Sequence, residues 1–296
     1  MTARMHPDEI DIDARTVRRL LRAQFPEWAE LPITRLPSPG TVNAMFRLGD
    51  HMLVRAPFVA MGAAGIELEA RWLPRLAPQL PVAIPHVLGV GRPALGYPCP
   101  WLVLRWLPGT CPVPGELSDG EGLARDFAAF LAALRQVDTT DAPRGYRGGA
   151  LSALDERVRA CLAECEEPFG NRLDLAALAR SWQESLAAAP WHSAPVWVHC
   201  DLLPGNVLVG NGRLAGVLDF AASGVGDPAC DLLAGWSILS ASGRRMLRDL
   251  LGVDDATWDR GRGWALGQAV IALPYYRESN PAMAASALHV LTELLG

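Results

Sequence analysis

Apolar positions in the first third of the chain change their period several times. Over residues 13–25, DARTVRRLLRAQF, the residues Val17, Leu20, Leu21 and Phe25 recur at helical spacing, which predicts an amphipathic helix. ITRLP, AMFRLG and HMLVRAP then read as short strands. SPGTVN separates the first two, and Gly49-Asp50 supplies a tight turn for the second pair. Helical spacing returns around 64–73 and is expected to end at Pro74, which lacks the N–H the ladder needs. Two further strand candidates, HVLGVG and WLVLRWL, flank the Gly/Pro-rich RPALGYPCP.

After LPGT at 107–110 the pattern becomes mainly helical. Ser118 and Glu121 have capping-box spacing, and Leu123, Phe127, Phe130, Leu131 and Leu134 form a core-facing stripe. Helices are predicted near 150–165 and 173–187 and over most of 228–294. VHCDLLPGNVLV (198–209) and GVLDF interrupt them with short apolar runs that have acids at their ends. No internal repeat is found. The expected architecture is α+β. A small antiparallel sheet with one inserted helix fills 1–106, and a larger mainly helical lobe fills 107–296. A hinge is expected near 105–110, with a ligand cleft between the lobes.

Composition adds bounds. A 296-residue chain that is half hydrophobic has ample core for two lobes. The net charge of -5 argues against nucleic acid as a partner. No apolar run approaches the roughly 20 residues that span a bilayer, and the polar amino terminus is not a secretory signal, so a soluble cytoplasmic protein is expected, with no membrane partner. All 27 cationic residues are arginine, a composition typical of high-GC bacterial coding, so an arginine at a lysine-type position is weak evidence of altered chemistry. The six cysteines are scattered. Cys161 and Cys165 have helical spacing, but nothing near them completes a metal site, and they read as plain thiols.

The residues at the ends of the two apolar runs suggest a chemistry. Phosphoryl transfer is mostly positioning and charge neutralisation, with an oriented carboxylate for the nucleophile and hard oxygens for Mg²⁺. Asp201 is a candidate for the first role, and Asn206 and Asp219 for the second, with Pro204-Gly205 turning the chain between Asp201 and Asn206. Each alone is an ordinary turn or strand-end residue. Together, His-x-Asp-x-x-Pro-x-Asn followed by an apolar strand and Asp-Phe form a specific pattern.

HCDLLPGNVLV…GVLDFAASGVGDPACDLL resembles the signature of the aminoglycoside phosphotransferase family, the kinase-like enzymes that include macrolide and capuramycin-type phosphotransferases. HMLVRAP, EARWLPRLAP and LPYYRESNP extend the likeness over most of the chain. The resemblance implies a two-lobed protein-kinase-like fold, ATP or GTP as phosphate donor, Mg²⁺, and a hydroxyl of a small molecule as acceptor. It makes Asp201 the catalytic base and Asn206 and Asp219 the Mg²⁺ ligands, while His199 and Asp231 brace the loop. Asp227, followed by Pro228, reads as a structural helix N-cap. Ser38, Gly40, Thr41 and Asn43 of SPGTVN would cover the phosphates, and the backbone of 101–106 would meet the purine. A protein kinase fits less well, because the loop reads His-Cys-Asp and no Ala-Pro-Glu follows.

Two positions depart from the family. Cys200 stands where glycine is usual, which is harmless on ordinary backbone and strained at a positive φ. Arg55 stands where kinases place a phosphate-binding lysine; its fork of donors suits phosphate. Glu69, rather than Glu67, is the expected partner of Arg55.

The acceptor is read from charge. After residue 220 eight acids (Asp227, Asp231, Asp249, Asp254, Asp255, Asp259, Glu278, Glu293) face six arginines, and Asp227 and Asp231 are assigned to structure. That balance suits a weakly charged, partly apolar antibiotic, a macrolide or a capuramycin-type nucleoside, better than a polycation. Trp236, Trp258, Trp264, Tyr275 and Tyr276 lie in the same stretch, most of them expected in the core. Aminoglycosides, choline, homoserine or a sugar are the alternative acceptors. Outside enzymes, a silent nucleotide-binding scaffold is the rival. A monomer or homodimer is expected.

Overall fold

The computed structural model describes residues 9–37, 42–113, 115 and 120–296. Ser38, Gly40 and Thr41 of the expected phosphate loop, and Ser118 of the expected capping box, lie outside the described residues. The chain divides into two compact units. One is Met1–Gln79, Ala83–Pro108 and Leu218–Ala221; the other is Leu80–Val82, Gly109–Val217 and Ala222–Gly296. A single cut at 106 does not describe this division, because Leu218–Ala221 joins the first unit through contacts that no local pattern records.

The first unit is built on α1 (Ala14–Gln24), β1 (Ile33–Arg35), β2 (Asn43–Leu48), β3 (Met52–Pro57), α2 (Ala63–Leu76), β4 (Val87–Gly91) and β5 (Trp101–Arg105). Its antiparallel sheet has the order β1-β2-β3-β5-β4. Gly49 takes φ +54° in the turn that sets Leu48 opposite Met52 and Met45 opposite Arg55. α1 begins where Asp13 accepts the Thr16 N–H at 2.7 Å, which satisfies one orphan donor of the first turn. Its stripe of Val17, Leu20 and Leu21 is buried with Phe46, Leu48, Val54 and Trp101. Trp101 lies so close over Gly91 that a Cβ there would stand 2.0 Å from the indole, which explains the glycine.

α2 does not end at Pro74; it continues to Leu76. The proline removes one helical hydrogen bond, but Leu73 and Leu76 on the same face are both buried, and their burial holds the last turn. The expected stop was a local rule overridden by packing.

The second unit contains α3 (Gly120–Leu134), α4 (Asp155–Glu164), α5 (Glu166–Phe169), α6 (Leu175–Ala187), α7 (Ala234–Ser237), α8 (Ala241–Leu251), α9 (Asp255–Tyr276) and α10 (Pro281–Glu293). Two small sheets pair β6 (Val196–Val198) with β9 (Gly224–Gly226), and β7 (Val207–Gly210) with β8 (Arg213–Val217). The α3 stripe, Leu123, Phe127, Phe130, Leu131 and Leu134, is buried as its spacing predicts. α9 packs against α4, α6 and α10, and at Gly261 a Cβ would meet the Leu232 side chain at 2.8 Å. β9 has no sequence signal, since ASGVGDP reads as a loop. It forms because Val196–Val198 offers it an edge and because Gly224 lets it touch residues 143–145. Among the described residues no helix is long and apolar enough to cross a membrane.

Candidate active site

In the first unit two strands, a helix and the Leu218–Ala221 segment build a buried charge cluster. Arg55 sits on β3, between β2 and β5, with its side chain 3% exposed. Its Nη1 donates to Glu69 Oε1 on α2 at 2.7 Å, and its Nη2 donates to Asp219 Oδ1 at 2.6 Å. The amide oxygen of Asn43 accepts from Arg55 Nε at 3.1 Å and from Nη2 at 2.9 Å. Glu69 also accepts the Phe220 N–H at 2.9 Å. Glu67 is exposed on another face of α2, so helix phase decides between the two glutamates. Gly65 brings the start of α2 against Ala221, where a Cβ would come within 2.7 Å of the alanine methyl.

The electrostatics follow from burial. Loss of water opposes the charge on Arg55, but Asp219 and Glu69 outweigh that penalty and hold its pKa above the ordinary range. Burial pushes Glu69 up to about 7; Arg55 opposes this, and the negative charge of Asp219 adds to it. Asn43, expected to donate to phosphate, instead lies buried on β2 as an acceptor for Arg55. In the backbone of 101–106, N–H donors are engaged within the protein. β5 is flanked on both sides, and the N–H groups of Arg105 and Trp106 donate to His86 O (2.9 Å) and His51 O (2.8 Å).

In the second unit the loop after β6 is held from below by Asp231. Its carboxylate accepts the N–H groups of His199 and Cys200, each at 2.8 Å. Burial raises the Asp231 pKa, with His199, these two N–H groups and Arg135 opposing the rise. His199 is buried, its Nδ1 accepts the Asp201 N–H at 3.2 Å, and its carbonyl accepts from Ser223 Oγ at 3.2 Å. Asp227 caps the turn that carries Asp231, accepting the Ala229 N–H at 2.9 Å, and pairs with Arg260 at 2.6 Å.

Cys200 has φ +71°, so the glycine-favouring alternative holds and its β-carbon is strained. The side chain fits because Gly145 is bare: a Cβ at 145 would lie 2.8 Å from Cys200 Sγ. Next to it, Asp201 has both oxygens engaged. Arg147 Nη1 donates to Oδ1 at 2.9 Å, and Asn206 Nδ2 donates to Oδ2 at 2.8 Å and to the Asp201 carbonyl at 2.9 Å. Pro204–Asn206 makes a single 3₁₀ turn that brings Asn206 back beneath Asp201.

This geometry fits Mg²⁺ chemistry. Because Asn206 Nδ2 is committed to Asp201, Oδ1 is the atom Asn206 offers to a cation. Among the described residues no group of three or more His, Cys, Asp or Glu could hold a metal alone. Mg²⁺ commonly takes one or two protein oxygens and completes its shell with phosphates and water.

Arg147 is the residue at the Asp201 carboxylate that sequence reasoning missed. RGYRGG carries no motif; its glycines are the sole hint that backbone passes close by. Gly148, at φ +90°, is one of them, with Gly226 and Asp227 against it. Among the aromatics, Trp236 and Trp264 are core, while Tyr275 is exposed and packs edge-on against Tyr276.

These two clusters on a five-stranded sheet and a helical unit define a kinase-like α+β protein. Residues 33–264 match the model of the phosphotransferase enzyme family, and the chain belongs to that family. The fold is shared with solved antibiotic phosphotransferases. The GDP and kanamycin complex of APH(2")-IIia is 20% identical, with 94% of this chain and 98% of that chain covered and a TM-score of 0.72. Macrolide 2'-phosphotransferase type I is 21% identical over 94% and 97%, with a TM-score of 0.63. The macrolide 2'-phosphotransferase MphH from Brachybacterium faecium is 20% identical over 94% and 97%, with a TM-score of 0.60. No curated protein matches the chain significantly.

Proposed function

We propose that the chain transfers the γ-phosphoryl group of ATP or GTP to a hydroxyl of a small-molecule antibiotic, and so inactivates it. The observation that carries this reading is the held carboxylate of Asp201, braced through Asn206 and Arg147 on a loop anchored by Asp231. In the reaction the acceptor oxygen attacks the γ-phosphorus, the bond to the β-phosphate oxygen breaks, and the hydroxyl proton passes to Asp201. Arg55 supplies a permanent positive charge for the phosphates, and Glu69 orients it. Bound Mg²⁺ supplies charge neutralisation for the phosphates, with Asn206 and Asp219 as its protein ligands. Solved relatives in fold carry GDP, or ATP with streptomycin, in keeping with a nucleotide donor.

A macrolide or capuramycin-type nucleoside is the proposed acceptor. The acids counted from the sequence are largely compensated: Asp227 by Arg260, Glu293 by Arg244, Asp259 by Arg262, Glu278 by Arg277 and Asp255 by Arg248. A pocket in this stretch lacks the field that gathers polycations. The protein is proposed to act in the cytoplasm as a monomer or homodimer. Incubation with ATP or GTP, Mg²⁺ and a panel of hydroxylated antibiotics should add about 80 Da, one phosphoryl group, to one of them. Asp201→Asn should slow that gain by about 10²–10⁴-fold while the protein stays folded, and transfer at the wild-type rate in this variant would remove Asp201 from the role of base.

A further inference from the structure

Arg147 is fixed beside Asp201 by its own backbone. Residues 143–148 are bonded along β9: Val225 N–H donates to Pro143 O at 2.8 Å, Gly145 N–H to Val225 O at 3.1 Å, and Asp227 N–H to Gly148 O at 2.9 Å. At Gly224 a Cβ would come within 2.4 Å of Gly145 N, so the two segments are in backbone contact. From this strap Arg147 Nη1 reaches Cys200 O at 2.8 Å and Asp201 Oδ1 at 2.9 Å. The Arg147 and Asp201 side chains are 22% and 25% exposed, so both face solvent in part. Among the described residues Nε and Nη2 of Arg147 have no hydrogen-bond partner, and its guanidinium carbon lies 5.2 Å from the ring of the exposed Tyr146.

A carboxylate that is to receive an ammonium-bearing acceptor should present uncompensated negative charge. Here a guanidinium cancels it. The other acids of the loop floor do not restore it, because Asp227 is paired with Arg260 and Asp231 receives two backbone N–H groups. We propose that Arg147 is a specificity-determining residue of the acceptor site, which takes hydroxyls flanked by neutral or anionic groups, as on a nucleoside sugar, and rejects hydroxyls flanked by an ammonium. A carbonyl, carboxylate or phosphate beside the reacting hydroxyl meets the Nε and Nη2 donors. An ammonium in that place meets a like charge. The proposal rests on Asp201 being the base of a phosphotransferase, and it separates the two acceptors left open above: the amino-sugar hydroxyl of a macrolide is disfavoured with the aminoglycosides, and the nucleoside is favoured.

Titration calorimetry with MgADP present reads this without any turnover. The full-length protein and its Arg147→Gln and Arg147→Lys variants are titrated with uridine and with kanamycin at low salt, and thermal melts report folding. The wild type should bind uridine more tightly than kanamycin. Arg147→Gln should bind kanamycin about tenfold more tightly than the wild type and uridine about tenfold less tightly, and Arg147→Lys should keep the wild-type order. Opposite changes are the signature, since a residue that merely props up Asp201 would weaken both ligands alike. A parallel loss for both probes, or uridine binding no tighter than kanamycin in the wild type, overturns the proposal. If Arg147→Gln does not fold, Arg147→Ala carries the same test, with the same opposite changes expected for the two probes. If the charge preference holds but no acceptor gains a phosphoryl group from ATP or GTP, the preference stands and the phosphotransferase reading alone fails.

Discussion

At Cys200 a side chain occupies backbone that glycine prefers. Its φ of +71° strains any β-carbon, while its sulfur fills a space beside Gly145. Two substitutions separate these effects. Both Cys200→Ala and Cys200→Gly lose the sulfur, but only glycine also loses the strain. Glycine should therefore be the more stable of the two by about 1 kcal/mol in urea unfolding, the reverse of the usual order. Asp201→Asn should lower kcat by about 10²–10⁴-fold with little change in melting temperature, the range for loss of a general base. Glu69 carries the pH dependence. Its folded value is raised from 4.5 to about 7, so the folded chain holds the proton more tightly than the unfolded one. That contribution is fully present below pH 4.5 and is lost as pH rises through 7. The melting-temperature advantage of the wild type over Glu69→Gln should shrink across that window. An advantage that grows with pH would mean that Arg55 outweighs burial.

At the level of elements, single contacts decide whether pieces meet. Arg260 joins the start of α9 to the turn that carries Asp231 through Asp227 at 2.6 Å and to the chain after α6 through Ala189 O at 2.6 Å, while Thr257 Oγ1 of the same helix accepts from it at 3.2 Å. Arg260→Leu leaves the Asp227 carboxylate buried without its cation and should cost about 3–5 kcal/mol in denaturant unfolding. A cost under about 1 kcal/mol would show that the pair is dispensable. α1, α3 and β2 were legible because their apolar residues point one way, whereas β5 was legible as a short unbroken apolar run, with Trp101 and Val103 buried in one cluster and Leu102 and Leu104 in another. α2 outran Pro74 because tertiary burial of Leu73 and Leu76 outweighs a local stop signal. β9 was illegible because its pairing partner lies more than twenty residues earlier in the chain.

For the whole molecule, ligand linkage gives a test that needs no acceptor. A nucleotide that binds the native state alone stabilises it by about 2.7 kcal/mol at a hundred times its Kd. ATP or GTP with Mg²⁺ should raise the melting temperature, and Asp219→Ala should diminish the Mg²⁺-dependent part of that rise. An equal rise with and without Mg²⁺ in the wild type would argue against Asp219 as a metal ligand. The sequence by itself determined the elements with a clear period, the α+β class and the short motif that brings Asp201 and Asn206 together within one turn. All of these depend on residues close in the chain, where spacing alone sets direction. The tertiary structure decided which residues far apart in sequence meet: Arg55 with Asp219, Asp227 with Arg260, and Arg147 with Asp201. Such pairs are set by burial and by close backbone contacts such as that at Gly224, which leave no period in the sequence.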